Sequence, residues 1–254
     1  MPMIGMLNKL AGKFNLRLIS SKPSLPPDLS GDEKFMKLYQ EVRPFTMTSP
    51  ERLFALYQSI NFVIENKIPG DFVECGVWKG GSSMMIAKTL RSLGVEDRSL
   101  WLYDTYEGMS EPTAEDRDFS GKTADELLKA SDKSDSNSVW CFSSMDEVQQ
   151  NLTRTGYPSS LIKFIKGKVE DTIPGAIPTS IALLRLDTDW YSSTMHELIH
   201  LYPLLANSGV LIIDDFGHWE GAKKAVLEYF SQHGRMPLIN RIDETGRIIL
   251  KLQS

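Results

Sequence analysis

The chain has 254 residues, 41% of them hydrophobic, which is enough to bury one large core and short for two full domains. A formal net charge of -5 supplies no basic face to follow a phosphate backbone and argues against nucleic acid as a substrate. The two cysteines, Cys75 and Cys141, stand far apart in no metal-ligand spacing, which suits buried thiols in a reducing, cytoplasmic setting and argues against a disulfide framework.

In chain order, residues 1–45 read as a helical appendage with a linker, and residues 46–254 as one domain. Between Met1 and Ile19, Ile4, Leu7, Leu10, Ala11, Phe14 and Leu18 fall near helical spacing among Lys9, Lys13 and Arg17. No uninterrupted apolar run or small-residue cleavage site follows, so a signal peptide is not expected. The expectation is an amphipathic helix packed on its own domain or on the other subunit of a homo-oligomer, with contact to a membrane surface as the alternative. No stretch reaches the ~20 apolar residues of a membrane span. Pro23, Pro26 and Pro27 mark Ser21 to Gly31 as an extended linker. Ser49-Pro50-Glu51 starts a helix, with serine as the cap and proline at the first helical position. Leu53, Leu56, Tyr57, Ile60, Val63 and Ile64 then form its apolar stripe.

Apolar runs next alternate with helical stretches. Strands are predicted at Asp71 to Cys75, Ser99 to Asp104, Leu161 to Lys166, Ile181 to Leu186 and Val210 to Asp214, with a helix over Ser82 to Leu93. Leu238 to Asp243 and Arg247 to Leu252, split by Glu244-Thr245-Gly246, read as an antiparallel hairpin. This predicts a doubly wound, Rossmann-like α/β fold: five parallel strands, a closing hairpin that makes seven, and helices on both faces. The polar stretch Ser110 to Ser138 reads as a mobile lid or a disordered insertion.

Three runs carry chemistry. The first is Glu74-Cys75-Gly76-Val77-Trp78-Lys79-Gly80-Gly81-Ser82, a strand entering a glycine-rich turn that lets the backbone approach a ligand. A dinucleotide fingerprint needs glycine where Glu74 and Lys79 stand, and a carboxylate there repels a pyrophosphate. S-adenosylmethionine lacks phosphate and carries a sulfonium and an ammonium, which suit an acidic strand end. Asp104 closes the second strand, where nucleoside-binding sheets place an acid to accept from ribose hydroxyls. The remaining runs are Leu186-Asp187-Thr188-Asp189-Trp190-Tyr191 and Ile213-Asp214-Asp215-Phe216-Gly217. Both follow apolar strands, so four aspartates should meet at adjacent strand ends, and a hard divalent cation relieves that crowding. Capping of the following helices is the plainer alternative for one or two of them.

Together these runs resemble the macrocin-type O-methyltransferases, from roughly Thr46 to the C-terminus. The resemblance implies methyl transfer from S-adenosylmethionine to a hydroxyl of a sugar or other small natural product, with Mg²⁺ or Mn²⁺ as the metal. It implies Asp187, Asp214 and Asp215 as metal ligands and Asp189 as general base; His218, just past the double aspartate, reads from its position as an alternative base or a substrate contact. It further implies Thr48 and Arg52 at the donor's amino-acid end, and Asp104, Tyr106, Ser143, Gly167 and Asp171 around its ribose and adenine. Ser110 to Ser138 and the N-terminal helix lie outside the match, which leaves the acceptor open. His196 and His200, one turn apart, lack a third ligand of that type and read as helix-surface residues. A metal-dependent hydrolase on the same sheet and a non-catalytic donor-binding protein remain the alternative functions.

Overall fold

The structure is a computed structural model in which residues 25–135, 138–233 and 236–252 are described; the expected helix at Met1 to Ile19 lies outside them. The chain runs α1 (Pro27–Gly31), α2 (Glu33–Val42), α3 (Pro50–Glu65), β1 (Asp71–Cys75), α4 (Gly81–Ser92), β2 (Leu100–Asp104), α5 (Ala124–Ala130) and α6 (Met145–Thr153). It continues as β3 (Ile162–Lys166), α7 (Val169–Thr172), β4 (Ile181–Leu186), α8 (Tyr191–Leu201), β5 (Leu205–Ile213), α9 (Glu220–Gln232), β6 (Asn240–Arg241) and β7 (Arg247–Leu250). Among the described residues, no helix is long and apolar enough to cross a membrane.

The strands form one seven-stranded sheet in the order β3-β2-β1-β4-β5-β7-β6. β1 to β5 are parallel, and β7 runs antiparallel to both β5 and β6. Alternate strand residues feed opposite layers. Phe72, Leu102, Leu183 and Ile212 pack in one core with Phe35, Leu56 and Met85 of α2, α3 and α4. Val73, Tyr103, Leu184 and Ile213 pack in the other with Leu198 and Tyr229 of α8 and α9. Register places Cys75 beside Leu186 and Leu186 beside Ile213, so β1, β4 and β5 end level with one another. Gly76, Asp187 and Asp214 therefore emerge side by side, tied by Asp187 N to Cys75 O and Asp214 N to Leu186 O, both 2.9 Å.

The expected linker is in part helix. Pro27 sits at the first position of α1, where its missing N–H costs nothing, and Leu29 is buried in the core beside Phe35. Asp32 then caps α2 by accepting from Phe35 N at 2.9 Å. β5 begins five residues before the expected Val210, because Leu205 pairs with Ile181 ahead of a register shift that the polar Asn207-Ser208-Gly209 disguises as a turn.

Residues 110–135 are folded rather than disordered. Asp118 bridges to Trp219, and Thr123 and Glu126 form a reciprocal capping box at the start of α5. Ala124 and Leu128 pack against Trp190, Trp219 and Ala222, while Trp190 Nε1 donates to Ser110 O at 3.1 Å. The anchor is the fully buried Asp116, which accepts from Thr113 N (2.7 Å), Thr113 Oγ1 (2.9 Å) and Tyr191 N at the start of α8 (2.7 Å). Asp116→Ala strips these donors of a charged partner and should lower unfolding free energy by about 1.5–3 kcal/mol in urea titrations. The same variant should expose residues 110–131 to limited proteolysis that the wild type resists; equal cutting of both proteins would place the anchor elsewhere.

Candidate active site

A cavity of about 400 Å³ opens over the carboxyl ends of β1, β2, β4 and β5, where strand order reverses around β1. Of the residues expected to contact donor, metal or proton, Thr48, Arg52, Gly76, Ser82, Asp104, Gly167, Asp187, Asp189, Asp214 and Asp215 line it, as does His218. Glu74, Gly80, Gly81, Tyr106, Ser143 and Asp171 do not. Glu74 is buried beneath the floor, one oxygen bound by Arg185 and the other by the Ser83 hydroxyl, so it offers nothing to a donor's cationic groups. Tyr106 donates its hydroxyl inward to Leu102 O, Ser143 donates to Glu147 Oε2 at 2.9 Å, and Asp171 is exposed on α7.

The glycines serve the chain's own packing. A Cβ on Gly76 would stand 2.0 Å from Asp187 O, and one on Gly81 would stand 2.5 Å from Phe45 O. Glycine at 76 thus lets the ends of β1 and β4 touch, and glycine at 81 lets residues 45–46 cross the start of α4. Gly80 packs on Val148 and Leu152 of α6. Asp104 ties the turn to β2: it accepts from Val77 N (2.6 Å), Trp78 N (3.1 Å) and Tyr106 N (2.6 Å). Burial pushes its pKa up, and these three N–H groups pull against the rise.

The cavity lining includes a buried cation that the sequence reading missed. Arg185, buried within β4, bonds Glu74 Oε1 and Asp187 Oδ2 at 2.7 Å each, Asp214 Oδ1 at 2.6 Å and Thr48 Oγ1 at 3.0 Å. Arg52 pairs with the second oxygen of Asp214 and, at 2.9 Å, with Asp243 Oδ2. These two guanidiniums supply internal counter-charge, so relief of the crowded aspartates does not fall to a metal alone. They still leave an acidic excess over Glu74, Asp187, Asp189, Asp214 and Asp215. Asp187, Asp214 and Asp215 each offer an oxygen, and these lie within 4.8 Å of one another. Three hard carboxylate donors on a cavity wall fit Mg²⁺ or Mn²⁺ better than a soft metal.

Comparisons with known proteins give the family. The family described as Macrocin-O-methyltransferase (TylF) matches residues 40–251. The chain belongs to the macrocin O-methyltransferase family. It is 34% identical over 201 residues to the 8-demethyl-8-(2,3-dimethoxy-α-L-rhamnosyl)-tetracenomycin-C 4′-O-methyltransferase of Streptomyces olivaceus, covering 79% of this chain and 73% of that protein. It is 32% identical over 201 residues to the mycinamicin III 3″-O-methyltransferase of Micromonospora griseorubida, covering 79% and 76%. The solved structure of the O-methyltransferase NovP superimposes with a TM-score of 0.71 at 31% identity, over 82% of this chain and 83% of that one. The protein is thus a methyltransferase, and the hydrolase and non-catalytic alternatives are set aside.

In this O-methyltransferase, Asp189 takes a left-handed backbone (φ +66°), unusual for a residue with a Cβ, that carries its carboxyl to Asp215. Burial and the neighbouring carboxylates push both pKa values up, while the Trp219 indole beside Asp189 pulls against the rise there. His218 lies edge-on to Phe119 and Trp219, at ring separations of 5.5 and 4.9 Å, and burial lowers its pKa. His196 and His200 face each other at 4.5 Å on α8, away from the cavity, with His196 Nε2 bonded to Ile173 O. Trp78, Cys141, Trp219 and Thr245 also line the cavity and carried no sequence signal of their own.

Arg185→Met should destabilise the protein by about 3–5 kcal/mol in urea titrations at pH 7, since it strands buried carboxylates without their cation. The loss should shrink at pH 5, where those carboxyls take up protons; an equal loss at both values would make packing, not charge, the role of Arg185.

Proposed function

We propose that this methyltransferase takes its methyl group from S-adenosylmethionine and delivers it to a hydroxyl of a sugar or other glycosylated small molecule, with Mg²⁺ or Mn²⁺ held by Asp187, Asp214 and Asp215. The observation that carries this reading is the convergence of those three carboxylates on one wall of the switch-point cavity. The acceptor class is supported by the rhamnosyl group in the name of the Streptomyces olivaceus relative. A divalent ion at this wall would supply charge that lowers the pKa of a bound hydroxyl and fixes its orientation.

The chain's own residues account for the rest. Transfer forms an O–C bond and breaks a C–S bond, and the hydroxyl must shed one proton. Asp189 is the candidate to accept it, since burial and the neighbouring carboxylates make its carboxyl more basic than an ordinary aspartate. Asp104 holds the glycine turn in shape beside the place for the donor's nucleoside. Arg185 fixes Asp187 and Asp214 in level register, so positioning supplies much of the rate while the sulfonium donor brings its own reactivity.

Chelator should abolish turnover measured with labelled donor, and added Mg²⁺ should restore it. Asp189→Asn should keep donor and metal binding and lower kcat by roughly 10²–10⁴; an unchanged kcat would move the base to His218. A further expectation follows from protonation. Glu74 is pushed up to about 7 from 4.5 by burial, against the pull of Arg185. Between those values the folded state binds more protons than the unfolded chain, so stability without divalent ions should fall as pH rises from 4.5 to 7. Because a metal competes with protons for the raised carboxyls of Asp214 and Asp215, Mg²⁺ should raise the melting temperature more at pH 8 than at pH 5.5. A pH-independent shift, or one retained in Asp215→Asn, would count against the metal site.

A further inference from the structure

The turn of the C-terminal hairpin reaches the cavity, and its Thr245 has no part in the chemistry above. Among the described residues, two buried side-chain polar atoms lack a hydrogen-bond partner, Thr245 Oγ1 and Trp78 Nε1, and both residues line this one cavity. A buried polar group left unpaired costs more than an ordinary hydrogen bond gains, so two such atoms in the same cavity mark places where a ligand's polar groups complete the pairing.

The backbone that carries Thr245 is fixed from two sides. Asp243 Oδ1 accepts from Thr245 N at 3.0 Å and from Gly246 N at 2.7 Å. Asp243 Oδ2 accepts in turn from Ser49 Oγ at 2.6 Å and Arg52 Nε at 2.9 Å, which binds the turn to the start of α3. On the other side Gly217 N donates to Thr245 O at 2.9 Å, and a Cβ on Gly217 would meet Thr245 Cα at 2.8 Å. The turn is therefore clamped to the loop that carries Asp214, Asp215 and His218. Trp78, by contrast, lies within the glycine turn and donates its backbone N–H to Asp104, where the nucleoside belongs.

We propose that Thr245 is a specificity-determining residue, whose hydroxyl hydrogen-bonds an acceptor oxygen next to the one that is methylated and so selects acceptors bearing neighbouring hydroxyls. This rests on the acceptor reading given under the proposed function. A pocket built to pair a substrate hydroxyl discriminates strongly against the analogue that lacks it, because its own polar group is then left unpaired.

The test uses the full chain with Mg²⁺, labelled S-adenosylmethionine, and p-nitrophenyl α-L-rhamnoside together with its 2-, 3- and 4-deoxy analogues. Thr245→Val keeps the shape and removes the hydroxyl, and should lower kcat/KM on the parent glycoside by roughly 10–100-fold, mostly through KM. The wild type should lose a similar factor on one deoxy analogue, and on that analogue Thr245→Val should lose nothing further. Thr245→Ser should recover most of the parent activity, and S-adenosylhomocysteine affinity by calorimetry should be unchanged in both variants. A Thr245→Val enzyme equal to wild type, or one equally impaired on every analogue, overturns the assignment. A weakened S-adenosylhomocysteine affinity also overturns it, and moves Thr245 to the donor. If the wild type binds S-adenosylhomocysteine but methylates none of the glycosides, the acceptor reading itself falls, and this inference with it.

Discussion

A guanidinium inside a parallel sheet is costly unless every direction it faces offers a negative partner. Arg185 meets that condition with Glu74 from β1, Asp187 at the end of its own strand and Asp214 at the end of β5. One side chain thus joins three segments of the sheet, and the level strand ends that open the cavity are held from below by charge as well as by the backbone ladder. Thr48 and Arg52 extend the network to the start of α3, and Asp243 extends it to the closing hairpin. Cavity wall, helix start and hairpin turn are consequently parts of one electrostatic unit.

That unit changes how the acidic wall is understood. Aspartates crowded without counter-charge would protonate or splay apart. Here the arginines bond Glu74, Asp187 and Asp214 and fix their orientation, while Asp189 and Asp215 lie outside those ion pairs, and burial raises the pKa of both. A single cluster so contains carboxyl groups already paired with guanidiniums and carboxyl groups that are not.

Much of this was legible in the sequence, and the failures have physical causes. The glycine turn, the strand order ending in a hairpin and the position of the aspartates at strand ends followed from periodicity and turn chemistry, because each is a local property. Arg185 was missed because an apolar run of six residues with one charge, Ile-Ala-Leu-Leu-Arg-Leu, still reads as a strand. The signal was present nonetheless, since a charge on a strand buried on both faces demands partners. Glu74 was given to the donor for the same reason: without its partner in view, a carboxylate near a ligand turn appeared free. Of the two readings of residues 110–135, the disordered insertion failed because composition averages over a segment, whereas their order rests on one buried aspartate and a few apolar contacts. Helix α1 was hidden by prolines, which start helices as readily as they interrupt them.

The rooting of that segment has a bearing on how such an enzyme can diversify. Asp116 fastens it to the start of α8, and its bridge to Trp219 fastens it just ahead of α9, so both attachments lie outside the Arg185 network. Just past them Phe119 is three-quarters exposed, with a glycine at 121 in open surroundings. Length and side chains at this tip can therefore drift without disturbing the strand ends or the charge network. Natural variation and laboratory recombination should both be tolerated there at little cost to folding, and Phe119, edge-on to the cavity residue His218, is the point at which such changes reach the cavity.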